Sequence, residues 1–226
     1  PIYFTRLPKD LNEIKSVTKK KETFLQILLP LIVAENARIK KDREYLLKIL
    51  KKNQSKKNTI WINKKYKEYK VSKKNIAELI KRMDIIPNSI ALAQAAKESG
   101  WGTSRFALEG NAIFGQWTWS QAGIEPLEKT AGQKHKILKF PLLRASVKAY
   151  IMNLNSHNGY KSFRKKSLQV STIRTRSLPS PPRLHTVPAG IFRVCVVICL
   201  ICVSFVFFFT ALCCPNRRIH VPKCGL

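Results

Sequence analysis

The sequence predicts an α+β fold that is mostly helical, and three observations support this. Apolar residues recur at helical spacing through residues 20–52. A run of small residues over 90–98 follows Pro-Asn-Ser at 87–89, residue types that favour the start of a helix. Alternating apolar and polar residues over 135–140 predict a short strand.

The N-terminal third is predicted to be helical after an extended start. Residues 1–19 are mixed in composition and are predicted to be extended. The helix over 20–52 contains Pro30, which is expected to kink the helix or split it in two, because proline has no N–H and clashes with the preceding turn. Residues 53–58 form a polar break before a short helix over 61–69.

Short helices and extended stretches follow. Ser72 is predicted to cap a helix that ends near Met83. Gly100 and Gly102 are expected to end the helix of small residues. The remaining elements are, in order, an extended aromatic stretch (111–119), a loop or hairpin (123–132) and a helix (142–155).

The charge of the chain points to an anionic partner without identifying it. The 226 residues include 42 Lys+Arg and 13 Asp+Glu, which gives a net charge of +29. Hydrophobic residues make up 45% of the chain, and this excludes a fully disordered basic tail because so much apolar surface needs burial. Nucleic acid, acidic lipid and acidic polymers all remain possible partners on charge alone.

Glu98 is the candidate catalytic residue. It falls on the last turn of the helix of small residues, directly before Gly100-Trp101-Gly102. Burial against apolar groups and the negative end of the helix dipole both raise the pKa of a carboxyl group placed there. A carboxylic acid that stays protonated near neutral pH can protonate a leaving-group oxygen.

Aromatic residues accompany Glu98. Trp101, Phe114, Trp117 and Trp119 offer flat apolar faces on which sugar rings can stack. Taken alone, a glutamate at the end of a helix is usually a solvated surface residue, and clustered aromatic residues usually belong to a core. Composition and spacing therefore leave the structural and the catalytic interpretations both open.

Two motifs resemble the bacterial Bax proteins, which belong to the mannosyl-glycoprotein endo-β-N-acetylglucosaminidase-like group, glycoside hydrolase family 73. The first is Gln-Ala-Ala-Lys-Glu-Ser-Gly-Trp-Gly-Thr-Ser-Arg-Phe at 94–106. The second is Glu-Gly-Asn-Ala-Ile-Phe-Gly-Gln-Trp-Thr-Trp at 109–119. Weaker likeness at 4–8, 28–36 and 150–164 extends the resemblance over about residues 2–166.

The resemblance implies a lysozyme-like fold with a cleft between a helical lobe and a small β-lobe. It implies hydrolysis of the β-1,4 bond on the reducing side of N-acetylglucosamine in peptidoglycan, with Glu98 as general acid. Asn111, Phe114 and Gly115 match the family's Asn-x-x-Phe-Gly segment beside the cleft, and Tyr150 matches a tyrosine that lines the cleft. The residues expected to bind substrate are Trp101, Asn111, Phe114, Gly115, Gln116, Trp117, Trp119 and Tyr150.

The second carboxylate stays open. Glu125 and Glu128 on the predicted β-lobe loop are weak candidates, and Glu109 lies nearer to the motif. A retaining enzyme places its second carboxylate roughly 5–5.5 Å from the acid, and an inverting enzyme roughly 6.5–9.5 Å. A substrate-assisted route, in which the N-acetyl group of the sugar attacks, needs no second glutamate.

No metal or other cofactor is expected. The sequence has no Gly-x-Ser-x-Gly elbow, no phosphate-binding glycine loop and no His-Glu-x-x-His motif. The four histidines are scattered, and all six cysteines fall between 195 and 224. The CxxC spacing at 199–202 lies in an uncharged apolar run, which argues against a zinc or redox role.

The composition changes near residue 167. Residues 167–226 carry six Arg, one Lys and no acidic residue, and 194–214 is an uncharged segment long enough to span a bilayer. One interpretation is an unstructured linker followed by an apolar membrane-anchoring helix. The other, favoured here, is that 167–226 is foreign to the fold, through a frameshift or a sequence chimera, and replaces the further helices that the resemblance implies.

The sequence thus predicts three regions: an N-terminal helical region (1–84), a glucosaminidase core that lacks its C-terminal part (85–166) and the stretch 167–226. The predicted partner is the glycan strand of peptidoglycan rather than nucleic acid, and the predicted location is the cell envelope, in the periplasm. Membrane contact is expected only if 194–214 is genuine. The alternatives are a non-catalytic basic module that binds cell wall or nucleic acid, and an inactive truncated relative.

Overall fold

A long N-terminal helix organises the fold. The computed structural model describes residues 2–51, 55–72, 75–118, 123–125 and 136–165. All of them belong to one compact unit, Pro1–Leu178. After a 3-10 helix at Lys9–Glu13, helix α1 (Val17–Leu50) runs for 34 residues, which corresponds to about 51 Å at roughly 1.5 Å per residue.

Shorter helices follow α1, and polar side chains cap several of them. The helices are α2 (Lys56–Glu68), α3 (Ile76–Arg82), α4 (Asn88–Ser99), α5 (Arg105–Gly110) and α6 (Leu143–Ser156), with a 3-10 helix at Asn158–Tyr160 after α6. The side chains of Ser55, Asn75 and Ser104 accept hydrogen bonds from the first turns of α2, α3 and α5. These caps satisfy backbone N–H groups that the helices themselves leave unpaired.

A small antiparallel sheet stands beside the helices. Its strands are β1 (Trp117–Thr118), β2 (Gly123–Ile124) and β3 (Lys136–Leu138), in the order β1-β3-β2. Ile137 at the centre of β3 lies opposite Trp117 on one side and Ile124 on the other. A Cβ atom at Gly123 would lie 2.6 Å from Cβ of Lys136, so only glycine allows β2 to pair this closely.

The main core lies between α1, α4 and α6. Ala91 and Ala95 on α4 are fully buried, and these small side chains allow close packing of α4 against α1. The buried side chains of this core are Leu7, Leu11, Phe24, Ile27, Leu28, Leu31, Ile32, Ile39, Ile86, Ala91, Ala95, Ala96, Ala107, Ile113, Phe114, Leu143, Val147, Tyr150, Ile151 and Leu154.

A second core lies around the C-terminal end of α1 and involves α2 and α3. Its buried side chains are Leu46, Ile49, Ile62, Tyr66, Tyr69, Val71, Leu79 and Met83. One continuous helix therefore supplies apolar side chains to both cores.

Two adjacent polar residues of α1, Glu35 and Asn36, are buried and fully engaged. The carboxylate of Glu35 accepts hydrogen bonds from Arg38 at 2.9 Å and from Arg144 of α6 at 2.7 Å. The amide of Asn36 donates to the carbonyl of Ile86 at 2.7 Å and accepts from the Ile86 N–H at 3.0 Å. Asn36 also donates to the side chain of Asn88 at 2.8 Å, at the first residue of α4.

The predicted fold class is confirmed: the described residues form a mostly helical α+β structure with a small sheet. The predicted split of the first helix at Pro30 is wrong, because α1 continues through it. Pro30 and Gln26 are both exposed, so the carbonyl of Gln26, which Pro30 cannot bond, can be hydrated instead. The finer prediction of a lysozyme-like arrangement stays a prediction.

Several predicted boundaries are corrected. Residues 56–58 belong to α2 rather than to a polar break, because Ser55 caps the helix earlier than its apolar pattern begins. Asn75, and not Ser72, caps α3. The stretch 111–119 is not extended throughout: within its described residues, Ile113 and Phe114 form a turn, and Trp117–Thr118 is a strand. The short helix α5 and the 3-10 helix within 1–19 were not predicted from the sequence.

The predictions for residues 167–226, including the apolar segment 194–214, lie outside the described residues. Among the helices that the structure describes, none combines the length and the apolar character needed to cross a bilayer. The proposed division of the chain at 84 and 166 stays a prediction.

We expect Asn36→Ala to lower the free energy of unfolding by about 2–4 kcal/mol, since it leaves a buried N–H and a buried carbonyl of Ile86 without partners. Urea denaturation followed by circular dichroism measures the change. Asn63→Ala is the matched control, because Asn63 is an exposed residue of α2. Equal stability of the two variants would contradict a stabilising role for the hydrogen bonds between Asn36 and the backbone of Ile86.

Candidate active site

The candidate acid, Glu98, lies on the last turn of α4, as the sequence predicts. The buried face of this helix consists of Ala91, Ala95, Ala96 and Ser99, and Glu98 lies outside it. Glu98 is therefore held by a helix that is packed on one side and open to solvent on the other.

The helix ends in a turn of three consecutive residues with positive φ: Gly100 (+58°), Trp101 (+59°) and Gly102 (+81°). The N–H of Trp101 donates to the carbonyl of Ala96 at 2.8 Å. Ser99 fixes the turn from below, since its hydroxyl donates to the carbonyl of Ala95 at 2.6 Å and accepts from the Gly102 N–H at 2.8 Å. The prediction that glycines end the helix here is confirmed.

Gly102 is required by packing as well as by conformation. A Cβ atom there would lie 2.8 Å from the ring of Phe24 and 2.9 Å from Leu7. The turn after Glu98 thus presses directly on the main core, which fixes the end of α4 in space.

The environment of Glu98 favours its neutral form. Partial burial raises the pKa of Glu98, and the positive charge of neighbouring Lys97 opposes this shift. The predicted direction of the shift is confirmed. A Cβ atom at Gly115 would lie 3.9 Å from Oε2 of Glu98, so the carboxyl group lies close to the backbone of the Asn-x-x-Phe-Gly segment. A protonated carboxyl at such a place can donate its proton to a bound oxygen.

Phe114 and Tyr150, which the resemblance places beside the cleft, are both buried at the edge of the candidate site as part of the main core. Their rings stack with centroids 3.9 Å apart and planes 5° from parallel. The hydroxyl of Tyr150 donates to the side-chain carbonyl of Gln94. Gln94 lies four residues before Glu98 on α4, so both side chains are on one helix face. The structure therefore brings Phe114, Tyr150 and Glu98 to the same side of α4.

Asn111 and Gln116 hold the segment between α5 and the sheet. Asn111 is buried with φ +52°, and its amide donates to the carbonyl of Phe140 at 3.0 Å. The backbone carbonyl of Gln116 accepts a hydrogen bond from the backbone N–H of Leu138 at 2.7 Å. Both bonds join this segment to β3 and its C-terminal end, so Gly115 is held from both sides.

Trp101 packs on the core side of the turn. Its ring meets Phe24 edge to face at a centroid distance of 5.9 Å, and the ammonium group of Lys21 lies 4.9 Å from its centroid. These contacts fix the ring against α1, and its sugar-stacking role stays a prediction. The side chain of Trp117 and all of Trp119 lie outside what the structure describes.

The candidates for the second carboxylate have structural contacts of their own. Glu125 pairs with Lys136 at 3.1 Å, and its backbone carbonyl accepts a hydrogen bond from Arg105 at 2.6 Å. Glu109 pairs with Arg105 at 3.4 Å. Glu128 lies outside the described residues. The assignment of a second carboxylate stays a prediction.

Sequence reasoning missed Gln94 and Arg105. Gln94 was detectable from its spacing of four residues to Glu98 on a helix of small residues. Arg105 joins the turn after Glu98 to Glu125, a contact across 20 residues that no local pattern indicates. Among the residues that the structure describes, no group of three or more His, Cys, Asp or Glu side chains is placed to hold a metal ion.

Comparison with known proteins identifies the family of this site. Residues 73–176 match the family model described as mannosyl-glycoprotein endo-beta-N-acetylglucosaminidase, Glucosaminidase. The chain is 34% identical over 168 residues to protein Bax of Escherichia coli strain K12. Residues 73–176 thus match a glucosaminidase domain, and most of the chain is similar to a Bax-type protein.

The match to E. coli Bax covers 71% of this chain and 60% of the relative. The chain thus spans about three fifths of the length of that Bax protein. No solved structure matches the chain. Within the glucosaminidase match lie α4, α5, the sheet and α6, and therefore Glu98 and every described candidate residue around it.

We expect Glu98→Gln to stabilise the folded protein at neutral pH. Burial raises the pKa of Glu98 above its usual 4.5, so the charged form destabilises the folded state, and this loss of stability grows as pH rises from 4.5 through the folded pKa. Melting temperatures of the variant and wild type should coincide well below pH 4.5 and separate, with the variant higher, at neutral pH.

The matched control is Glu22→Gln, which removes one negative charge at an exposed position of α1. A gain for Glu98→Gln at neutral pH that is no larger than the change in the control would contradict the assignment of a desolvated carboxyl at position 98.

Proposed function

We propose that the chain is a peptidoglycan hydrolase that cleaves the β-1,4 glycosidic bond after N-acetylglucosamine, with Glu98 as general acid. The observation that carries the proposal is the partly desolvated carboxyl of Glu98, which has a raised pKa and lies beside Gly115 within the glucosaminidase match. The family description supports a glycan substrate. Peptidoglycan as that glycan is what the resemblance of the two sequence motifs to the Bax-type proteins implies.

In this mechanism the protonated Glu98 donates its proton to the glycosidic oxygen as the bond to the sugar breaks. The backbone at Gly115 leaves space beside the carboxyl, because a side chain there would approach Oε2 of Glu98. The stacked rings of Phe114 and Tyr150 and the bond from Tyr150 to Gln94 hold α4 in place next to Glu98. The sugar is proposed to lie between α4 and α6 on one side and the small sheet on the other, in a lysozyme-like cleft.

Whether hydrolysis retains or inverts the anomeric configuration depends on the group that acts together with Glu98. The loop glutamates Glu125 and Glu128 remain the proposed candidates, and Glu125 is tied to the sheet through Lys136. A substrate-assisted route is the alternative.

The proposed location follows from the proposed substrate. Peptidoglycan lies in the cell envelope, so the protein is proposed to act there, in the periplasm. Its net charge of +29 supports attraction to an anionic wall polymer. A non-catalytic basic module is the second candidate function. Four exposed lysines that line one cleft favour it: Lys64, Lys67, Lys70 and Lys148.

We expect Glu98→Gln to lower the rate of release of N-acetylglucosamine reducing ends from purified peptidoglycan by about 10²–10⁴-fold, the usual contribution of a general acid. Muropeptide analysis by mass spectrometry identifies the cleaved bond. Glu22→Gln, which changes an exposed glutamate of α1 outside the glucosaminidase match, is the control and should retain activity. Equal rates for wild type and Glu98→Gln would refute the proposal.

We expect Glu125→Gln or Glu128→Gln, but not both, to lower kcat by about 10²-fold or more if a protein carboxylate completes the mechanism. The anomeric configuration of the first product, read by NMR, then separates retention from inversion. Full activity of both variants would exclude both residues and favour the substrate-assisted route.

A further inference from the structure

An open basic cleft lies between α1, the C-terminal end of α2, β3 and α6. Its volume is about 930 Å³. Cations line it on several elements: Arg38 from α1, Lys64, Lys67 and Lys70 from the end of α2, and Lys148 from α6. A cleft of this size is large enough for part of a polymer.

Four of these cations are not neutralised by the protein. Lys64, Lys67, Lys70 and Lys148 are exposed, and in the described ranges none of them has a carboxylate within ion-pair distance. Lys65, which also lines the cleft, differs because it pairs with Asp42 at 2.7 Å and with Glu68 at 2.8 Å. The cleft therefore presents uncompensated positive charge to solvent.

Two buried polar atoms in the wall of the cleft also lack partners within the described part of the chain. They are Nη2 of Arg38, a hydrogen-bond donor, and Oε1 of Gln116, an acceptor. Buried polar atoms are normally hydrogen-bonded. Neither atom is accessible from the cleft, so the exposed lysines are the groups that a ligand there would contact.

Stabilisation of α2 explains the position of only some of the four exposed lysines. Lysines in the last turn of a helix interact favourably with its dipole, and Lys67 falls in the last turn of α2. Lys148 lies in the interior of α6, where this reason does not apply. Lys70 has φ +52°, in the left-handed region where glycine is usual. Helix capping therefore does not account for the cluster.

The cleft and the candidate active site are linked by two consecutive residues of the chain. Gln116 lines the cleft and directly follows Gly115, which lies beside the carboxyl of Glu98. A glycan held near Glu98 would therefore place its attached groups close to the lysines. In peptidoglycan these attached groups are short peptides that carry carboxylates.

We propose that the basic cleft binds the carboxylates of the acidic peptides attached to the glycan strand. The inference rests on the proposed function for the identity of the polymer. It adds a charge-based subsite, formed by α2 and α6, that selects peptide-bearing strands over bare glycan.

The test compares wild type with the quadruple variant Lys64→Gln/Lys67→Gln/Lys70→Gln/Lys148→Gln in the full chain. Each protein acts on two substrates: peptide-bearing glycan strands and the same strands after enzymatic removal of the peptides. We expect KM for the peptide-bearing strands to rise about tenfold with kcat unchanged, because four exposed charges that each contribute weakly are lost together. KM for the bare strands should stay the same.

The matched control changes four lysines that are also exposed but do not line the cleft: Lys15→Gln/Lys40→Gln/Lys41→Gln/Lys57→Gln. It removes the same net charge, so it should leave both KM values near those of wild type. Equal increases in the two quadruple variants would show general charge attraction and overturn the proposal. The proposal would also be overturned if KM of the cleft variant rose equally on both substrates, or if it did not rise on the peptide-bearing strands.

Binding measurements keep the inference separate from the proposed activity. Co-sedimentation with intact and with peptide-free peptidoglycan is measured in the Glu98→Gln background, where no cleavage is needed. If wild type cleaves neither substrate, the proposed function fails, and preferential binding to peptide-bearing material by the parent but not by the cleft variant still supports the subsite. If a single-stranded oligonucleotide displaces the protein at lower concentration than peptide-bearing glycan does, the cleft is a nucleic-acid site and the proposal is overturned.

Discussion

The hydrogen bonds between the Asn36 side chain and the backbone of Ile86 are the constraint on which the site depends. They fix the start of α4, and a helix of 12 residues then places its last turn about 18 Å away. The preceding residue, Glu35, does the same for α6 through Arg144. Two neighbouring side chains of α1 thus position both helices that carry Glu98 and Tyr150. Breaking either contact would leave buried polar groups unpaired, so these positions tolerate little change.

The site departs from ordinary backbone preferences at two residues, and each departure is compensated by nearby contacts. Trp101 and Asn111 both have positive φ, which is unfavourable for residues with a Cβ atom. Trp101 is held by Phe24 and by the hydrogen bond to Ala96, and Asn111 by its bond to Phe140. Gly115 also has positive φ and keeps the space beside Glu98 open. Concentration of such departures at one place is typical of a functional site.

The features predicted correctly from the sequence are those set by local chemistry. The helix that carries Glu98 follows from its small residues, its proline start and its glycine end, and the raised pKa of Glu98 follows from that placement. The features missed depend on competition or distance. Asn75 replaces Ser72 as a cap because both are good capping residues and only the packing of α3 decides between them. The contact of Tyr150 with Gln94 joins residues 56 positions apart, and the basic cleft combines three helices and a strand, so neither can be inferred from local spacing.

The continuity of α1 bears on how the chain can be divided. The family match begins at residue 73, after α1 has ended, yet α1 supplies the apolar surface against which α4 and α6 are buried. An excised fragment of residues 73–176 would expose Ala91, Ala95 and Val147 to water, and it would lose Asn36 as the partner of Ile86. The segment that matches the family model is therefore shorter than the unit that shares the main core, because α1 lies outside the match. The start of the family match and the start of the cooperatively packed core therefore fall at different residues, and a fragment designed for expression should include α1.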